Sequence, residues 1–235
     1  MRFLASLLLA ASAVAAPVSF DKQTVSKDFV AEGCAVADFD HDGHVDIAAG
    51  WYIWKGPDFK QRVAYAVEPS HDKGPNKTPF NGATGYSDYF ISYAYDFNGD
   101  GWQDILVFGF PGDPALVYEN PKGKAGPWTV HNIFDVADGE SPQLVDINGD
   151  GLPDIVCGKR RWAHGIKGDD EPNADPVLYW FELNRDGKGG ASFVPRRIDN
   201  DSGVGTQFFT GKVNGDAKPD IVIANKHGVF VFTQK

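Results

Sequence analysis

Four times along the chain a short acidic loop runs straight into an apolar strand. The copies read DFDHDGHVDIAAG from Asp38, DFNGDGWQDILVFG from Asp96, DINGDGLPDIVCG from Asp146 and KVNGDAKPDIVIAN from Lys212. They begin at 38, 96, 146 and 212, so the steps are 58, 50 and 66 residues. A kernel recurring at such spacings specifies one supersecondary unit repeated along the chain, with loops absorbing the unequal steps.

The residues around each kernel say what that unit is. A short strand pattern precedes each one, at 34–37, 91–95, 143–145 and 208–211, and a β-branched apolar run follows, as in Ile105-Leu106-Val107-Phe108. A third, aromatic-rich pattern comes next at 51–54, 115–118 and 177–181, then a turn, then a fourth pattern at 61–64, 128–131 and 193–196. Helical periodicity is nearly absent. Four short antiparallel strands per repeat predict an all-β β-propeller of four four-stranded blades. A fifth blade is open as an alternative, within 68–89 or 160–175. The last repeat stops after its third strand at 228–232, and the chain begins with an orphan fourth-strand pattern at 20–25. Pairing the two would complete the last blade, close the ring and leave no open sheet edge.

The first 16 residues read as a signal peptide: Arg2, an apolar stretch from Leu4 to Ala11, then small residues at Ala13, Ala15 and Ala16. That stretch is too short to span a bilayer, which takes about 20 residues. A secreted or periplasmic protein is expected, folding as one domain over 17–235 without membrane insertion. The net charge of −10 argues against a nucleic-acid partner, which needs a basic face. Export permits a disulfide between Cys34 and Cys157, and the sequence leaves that pairing open.

Within a kernel the acidic residues fall at positions 1, 3, 5 and 9, with a main-chain carbonyl at position 7. This is how a loop wraps a hard cation in oxygen. The first copy offers Asp38, Asp40, Asp42, the His44 carbonyl and Asp46. The second offers Asp96, Asn98, Asp100, the Trp102 carbonyl and Asp104. The third offers Asp146, Asn148, Asp150, the Leu152 carbonyl and Asp154. All-oxygen donors suit Ca²⁺, and the lack of His or Cys side-chain ligands argues against zinc. An EF-hand needs a Glu at position 12, where these loops carry Ala49, Val107, Cys157 and Ile223. In the fourth copy Lys212 replaces the first carboxylate and Ala217 replaces a glycine. Three Ca²⁺ sites are therefore expected, with the Lys212 ammonium standing in for the fourth ion beside Asp216 or Asp220.

These kernels resemble FG-GAP/VCBS repeats, the integrin-α-like propeller blades of many exported bacterial proteins. The resemblance runs from about Phe29 to the C-terminus and weakens in the fourth copy. It implies a propeller whose acidic loops are structural Ca²⁺ sites. It covers adhesion, sugar-binding and polysaccharide-acting proteins, so it constrains fold more than function.

Two function classes remain. In the first, the protein is a binding module for a glycan or a protein. Its candidate surface is Tyr86, Tyr89, Phe90, Trp162, His164 and Gln207, because sugars stack on aromatic faces flanked by polar groups. In the second, it is a propeller enzyme acting on a sugar by elimination or hydrolysis. Glu32 and Glu140, each six residues ahead of a kernel, would then face each other across the channel as acid and base. No nucleophile or nucleotide-binding motif is present, and binding is the reading preferred.

Overall fold

The computed structural model describes residues 18–67, 81–83, 85, 87–138, 141–162, 164–167 and 171–235. All regular structure among them is β, in four antiparallel sheets that follow the four repeats. Blade one is β1 (Cys34–Ala37), β2 (Asp46–Ala49), β3 (Tyr52–Trp54) and β4 (Arg62–Ala64). Blade two is β5 (Ile91–Tyr95), β6 (Asp104–Phe108), β7 (Ala115–Glu119) and β8 (Thr129–Phe134). Blade three is β9 (Gln143–Val145), β10 (Asp154–Lys159), β11 (Val177–Arg185) and β12 (Ala191–Asp199). Blade four has only β13 (Phe208–Gly211), β14 (Asp220–Asn225) and β15 (Gly228–Phe232).

The second strand of each blade is its centre. Strands β6 and β10 are buried at every residue, because both of their faces are covered. This is why they read as continuous apolar runs. Three cores lie between consecutive blades. Ala35, Ala48 and Ile53 of blade one meet Ile105, Val107 and Tyr118 of blade two. Leu106, Phe108 and Val117 meet Ile155, Cys157 and Phe181. Val156 and Leu178 meet Phe208, Ile221 and Ile223.

The strand boundaries follow the sequence pattern closely, but ring closure does not. Residues 20–25 are not a strand, and blade four stays three-stranded. The N-terminal segment lies along blade one instead. Gln23 Nε2 donates to the Asp58 carbonyl at 3.0 Å, and Asp28 faces Arg62 at 3.5 Å. Phe20, at the start of the expected closing strand, is 91% exposed, while Val25 packs partly buried against the core of blade one. The described residues of 68–89 and 160–175 form no strand, so no fifth blade appears among them.

Candidate functional sites: the acidic loops and the cleft between blades three and four

The acidic loops join the first two strands of each blade. In loops one to three, the carboxylate at position 1 gathers the amides of the turn. Asp38 Oδ2 accepts from Gly43 N at 3.0 Å, Asp96 Oδ2 from Gly101 N at 3.0 Å, and Asp146 Oδ2 from Gly151 N at 3.0 Å. Those glycines have φ of 87°, 92° and 88°, left-handed values that a side chain strains against. The fourth loop has Lys212 and Ala217 at the equivalent positions, and Ala217 does not adopt a positive φ. It therefore departs in shape as well as in charge. Lys212 is exposed and forms no ion pair with Asp216 or Asp220, against the expectation that its ammonium would replace an ion. Asp220 is saturated by the amides of Val213, Asn214 and Gln234, and Asp216 accepts from Lys218 N. An exposed pair would in any case add little.

In loop one, oxygens of Asp38, Asp40 and Asp42 lie within 4.8 Å of one another. This donor set fits a hard cation such as Ca²⁺. Two lysines border these loops. Lys55 Nζ lies 2.5 Å from Asp40 Oδ2, and Lys122 Nζ lies 3.3 Å from Asp100 Oδ2. The hydrogen bond from Lys55 favours the ionised form of Asp40 and holds its carboxyl below its ordinary value. Loops one and two also touch: the His41 ring stacks on Trp102 at 3.9 Å, and its Nε2 lies 3.0 Å from the Gly101 carbonyl.

The position-9 carboxylates behave alike in all four blades. Each is buried and bridges two backbone segments. Asp46 accepts from Phe39 N and Gly56 N, Asp104 from Phe97 N and Asn120 N, and Asp154 from Ile147 N and Leu183 N. Asp220 accepts from Val213 N and Gln234 N. One oxygen holds the start of the acidic loop and the other holds the end of the third strand. We call this the blade latch. It explains why position 9 keeps its Asp in the fourth repeat, where position 1 does not. Burial raises Asp46 and Asp154, and pushes Asp104 up to about 7. Asp220, in the thinner last blade, is lowered by the amide of Val213.

At the opposite end of the central strands lies a cleft of about 330 Å³ between blades three and four. It is built by residues after β10, by the 202–207 segment and by the β14–β15 turn. Strand β10 has six residues, which sets the cleft about 20 Å from the acidic loops. Arg160, Arg161, Trp162, Thr206, Asn225 and Lys226 line it, together with Gln207 and His227, and no carboxylate does among the described residues. Arg160 Nη1 donates to Thr206 Oγ1 at 3.0 Å, and Lys226 Nζ donates to the Trp162 carbonyl at 2.9 Å. The Arg161 guanidinium sits 4.9 Å from the Trp162 ring centre.

The expected aromatic platform divides. Trp162 and Gln207 are in the cleft. Tyr89 is 4% exposed, packs near Trp51 in the first core and presents no face to a ligand. Phe90 meets Phe110 edge-on at 5.3 Å, and Phe110 stacks on His164 at 5.4 Å, which makes a separate cluster. Glu32 is exposed, with its amide bonded to the Tyr89 carbonyl at 3.0 Å. Tyr86 and Glu140 lie outside the described residues, so the expected pairing of Glu32 with Glu140 does too. The sequence reading overlooks Arg160, Arg161 and Lys226. The signal was the basic run Lys159-Arg160-Arg161 ahead of Trp162, masked by the acidity of the whole chain. Both cysteines are free, Cys34 exposed and Cys157 buried.

Comparison with known proteins gives three findings. Residues 96–157 match the family model described as FG-GAP-like repeat. No curated protein matches the chain. Among solved structures, the chain is similar to an Agrocybe aegerita lectin that recognises non-reducing terminal N-acetylglucosamine. The two are 20% identical with a TM-score of 0.40, over 86% of this chain and 51% of the lectin. The chain thus spans about half the length of that lectin. The matched segment runs from the first carboxylate of loop two through strands β6 to β8 of blade two and into β10, so that stretch resembles an FG-GAP-like repeat.

Proposed function

We propose that this protein is an exported, calcium-stabilised binding module of propeller type. Its ligand is a glycan carrying acidic groups, held in the cleft between blades three and four. The observation that carries this reading is the cleft lining: an indole beside Arg160, Arg161 and Lys226, with the Thr206 hydroxyl and the Asn225 and Gln207 amides. An aromatic face takes the apolar face of a sugar ring, amides and hydroxyls take its hydroxyls, and guanidinium groups pair with a carboxylate in a planar fork. The acidic loops lie at the far end of the strands, and their role in this reading is to hold the blades rather than to touch the ligand.

The test is calorimetric titration with oligogalacturonate and with a neutral oligosaccharide of equal length. The acidic sugar is expected to bind, weakening as salt rises, while the neutral one binds at least tenfold more weakly. Trp162→Ala and Arg161→Gln are each expected to weaken binding about tenfold or more, a loss of about 1.4 kcal/mol. Equal affinity for both sugars would remove the acidic specificity, and no effect of either substitution would remove the cleft as the site.

A further inference from the structure

Position 2 of each acidic loop lies between the donors at positions 1 and 3. In loops one to three it is Phe39, Phe97 and Ile147, and each of these residues is held in three ways. Its amide is held by the latch of its own blade, through Asp46, Asp104 and Asp154. Its side chain is buried in the core shared with the following blade. Phe39 meets the Trp128 ring at 6.1 Å, Phe97 meets the Phe193 ring at 5.6 Å, and Ile147 joins Phe208 and Ile221. Its carbonyl accepts a hydrogen bond from a side chain of that following blade. Asn120 Nδ2 donates to Phe39 at 2.9 Å, Arg185 Nε to Phe97 at 3.0 Å and Gln234 Nε2 to Ile147 at 2.8 Å.

These interblade bonds recur although their donors differ. In blades two and four the donor is the residue whose own amide the latch holds, Asn120 on Asp104 and Gln234 on Asp220. In blade three the latch holds Leu183, which has no side-chain donor. There the bond comes from Arg185, two residues further along β11 and so on the same face, with a side chain long enough to reach across. Arg185 adds a second bond, to the Asp96 carbonyl. Three different side chains, each 81 to 88 residues from its acceptor, thus meet one geometry. That makes the bond a property of how the blades dock.

A residue pinned at amide, carbonyl and side chain fixes both flanking peptide planes, and with them the directions in which the donors at positions 1 and 3 leave the chain. In loop one those donors are Asp38 and Asp40, two of the three carboxylates within 4.8 Å of one another. We infer, resting on the calcium reading above, that Asn120, Arg185 and Gln234 are positioning residues, each setting the acidic loop of the blade before its own. Cation binding in a loop and docking of the next blade are then coupled. The coupling is reciprocal: what the next blade adds to a loop's affinity, the bound ion adds to the docking of that blade.

Two single-loop backgrounds separate this coupling from general loosening. Asp96→Asn with Asp146→Asn leaves loop one, and Asp38→Asn with Asp96→Asn leaves loop three. Calcium affinity is measured in each by chelator competition. Asn120→Leu keeps the volume and removes the donors, so it should weaken loop one about fivefold, the size of one net hydrogen bond, and leave loop three unchanged. Gln234→Met should do the reverse. Hydrogen exchange of the single variants in EDTA gives a readout free of metal. Peptides over 38–46 should exchange about threefold faster or more in Asn120→Leu, and those over 146–154 in Gln234→Met. Should Asn120→Leu or a background fail to fold, Gln234→Met and its exchange pattern decide. Equal weakening of both loops, no weakening, or exchange that does not follow the crossed pattern overturns the inference and leaves calcium binding standing. A wild-type chain that binds no calcium overturns the calcium reading and the coupling together.

Discussion

Replacing the latch carboxylate of blade three or blade four should destabilise the fold with or without calcium. Asp154 is fully buried and holds Ile147 N and Leu183 N, each at 2.9 Å. Asp220 is equally buried and holds Val213 N and Gln234 N, each at 3.0 Å. A hydrogen bond from an amide to a carboxylate contributes roughly 1.5–3 kcal/mol. Asp154→Ala removes two of them and strands both amides in the interior, for a loss of about 3–6 kcal/mol. That is a large share of a domain stability of about 5–15 kcal/mol. Asp154→Asn keeps one acceptor oxygen and turns an amide group towards the other donor, so about half that loss is expected. The assay is urea unfolding followed by tryptophan fluorescence, run in EDTA and again in calcium. Asp220→Ala should lose about the same in both conditions, because its loop lacks the first carboxylate. Asp38→Asn, which removes a loop oxygen and leaves the latch intact, should lose stability mainly in calcium. If Asp154→Ala and Asp220→Ala both unfold within about 1 kcal/mol of wild type in EDTA, the latch contributes too little to organise the blade, and the bond energies used here are wrong for it.

Further outcomes follow from the same geometry. Three Ca²⁺ ions at about tenfold excess over a millimolar-range Kd should add on the order of 4 kcal/mol, or about 8–16 °C in Tm, which a chelator should remove. A Tm unchanged by EDTA, or four equivalent ions by titration, would contradict this. Lys55→Met, which removes the ammonium beside Asp40, should tighten calcium binding at loop one severalfold in a chelator-competition titration. In EDTA, Asp104 retains its proton up to about pH 7 because it is buried, whereas the unfolded chain releases it near pH 4. Its contribution is therefore full below about pH 4 and is lost as pH rises through about 7, so stability in EDTA should fall across that window. Asp104→Asn should flatten that slope. Burial raises the Cys157 thiol and makes it a poor nucleophile, so a thiol reagent should reach it only on unfolding, while Cys34 reacts at once.

Most of the fold was legible because its determinants are local. Strands β1, β5, β9 and β13 fall where the residues before each kernel read as strands, and β6 and β10 announce their burial as unbroken apolar runs. The fourth loop's difference was also visible, in Lys212 and Ala217. The latch was not. Asp at position 9 looks like one more loop oxygen, and only the β11 and β15 ends returning to Asp154 and Asp220 reveal the second role. The cleft was hidden for a similar reason. Arg160, Thr206 and Lys226 are far apart in sequence and come together only where two blades meet.

The sequence by itself determined the repeat, the strand order within each blade and the oxygen-rich loops, because turn chemistry and side-chain alternation act over a few residues. The tertiary structure alone decided which face of each sheet meets which and where the N-terminal segment lies. Those depend on contacts between residues tens of positions apart. In Val36 and Val231 an apolar residue on a strand reads the same whether its face is covered or exposed.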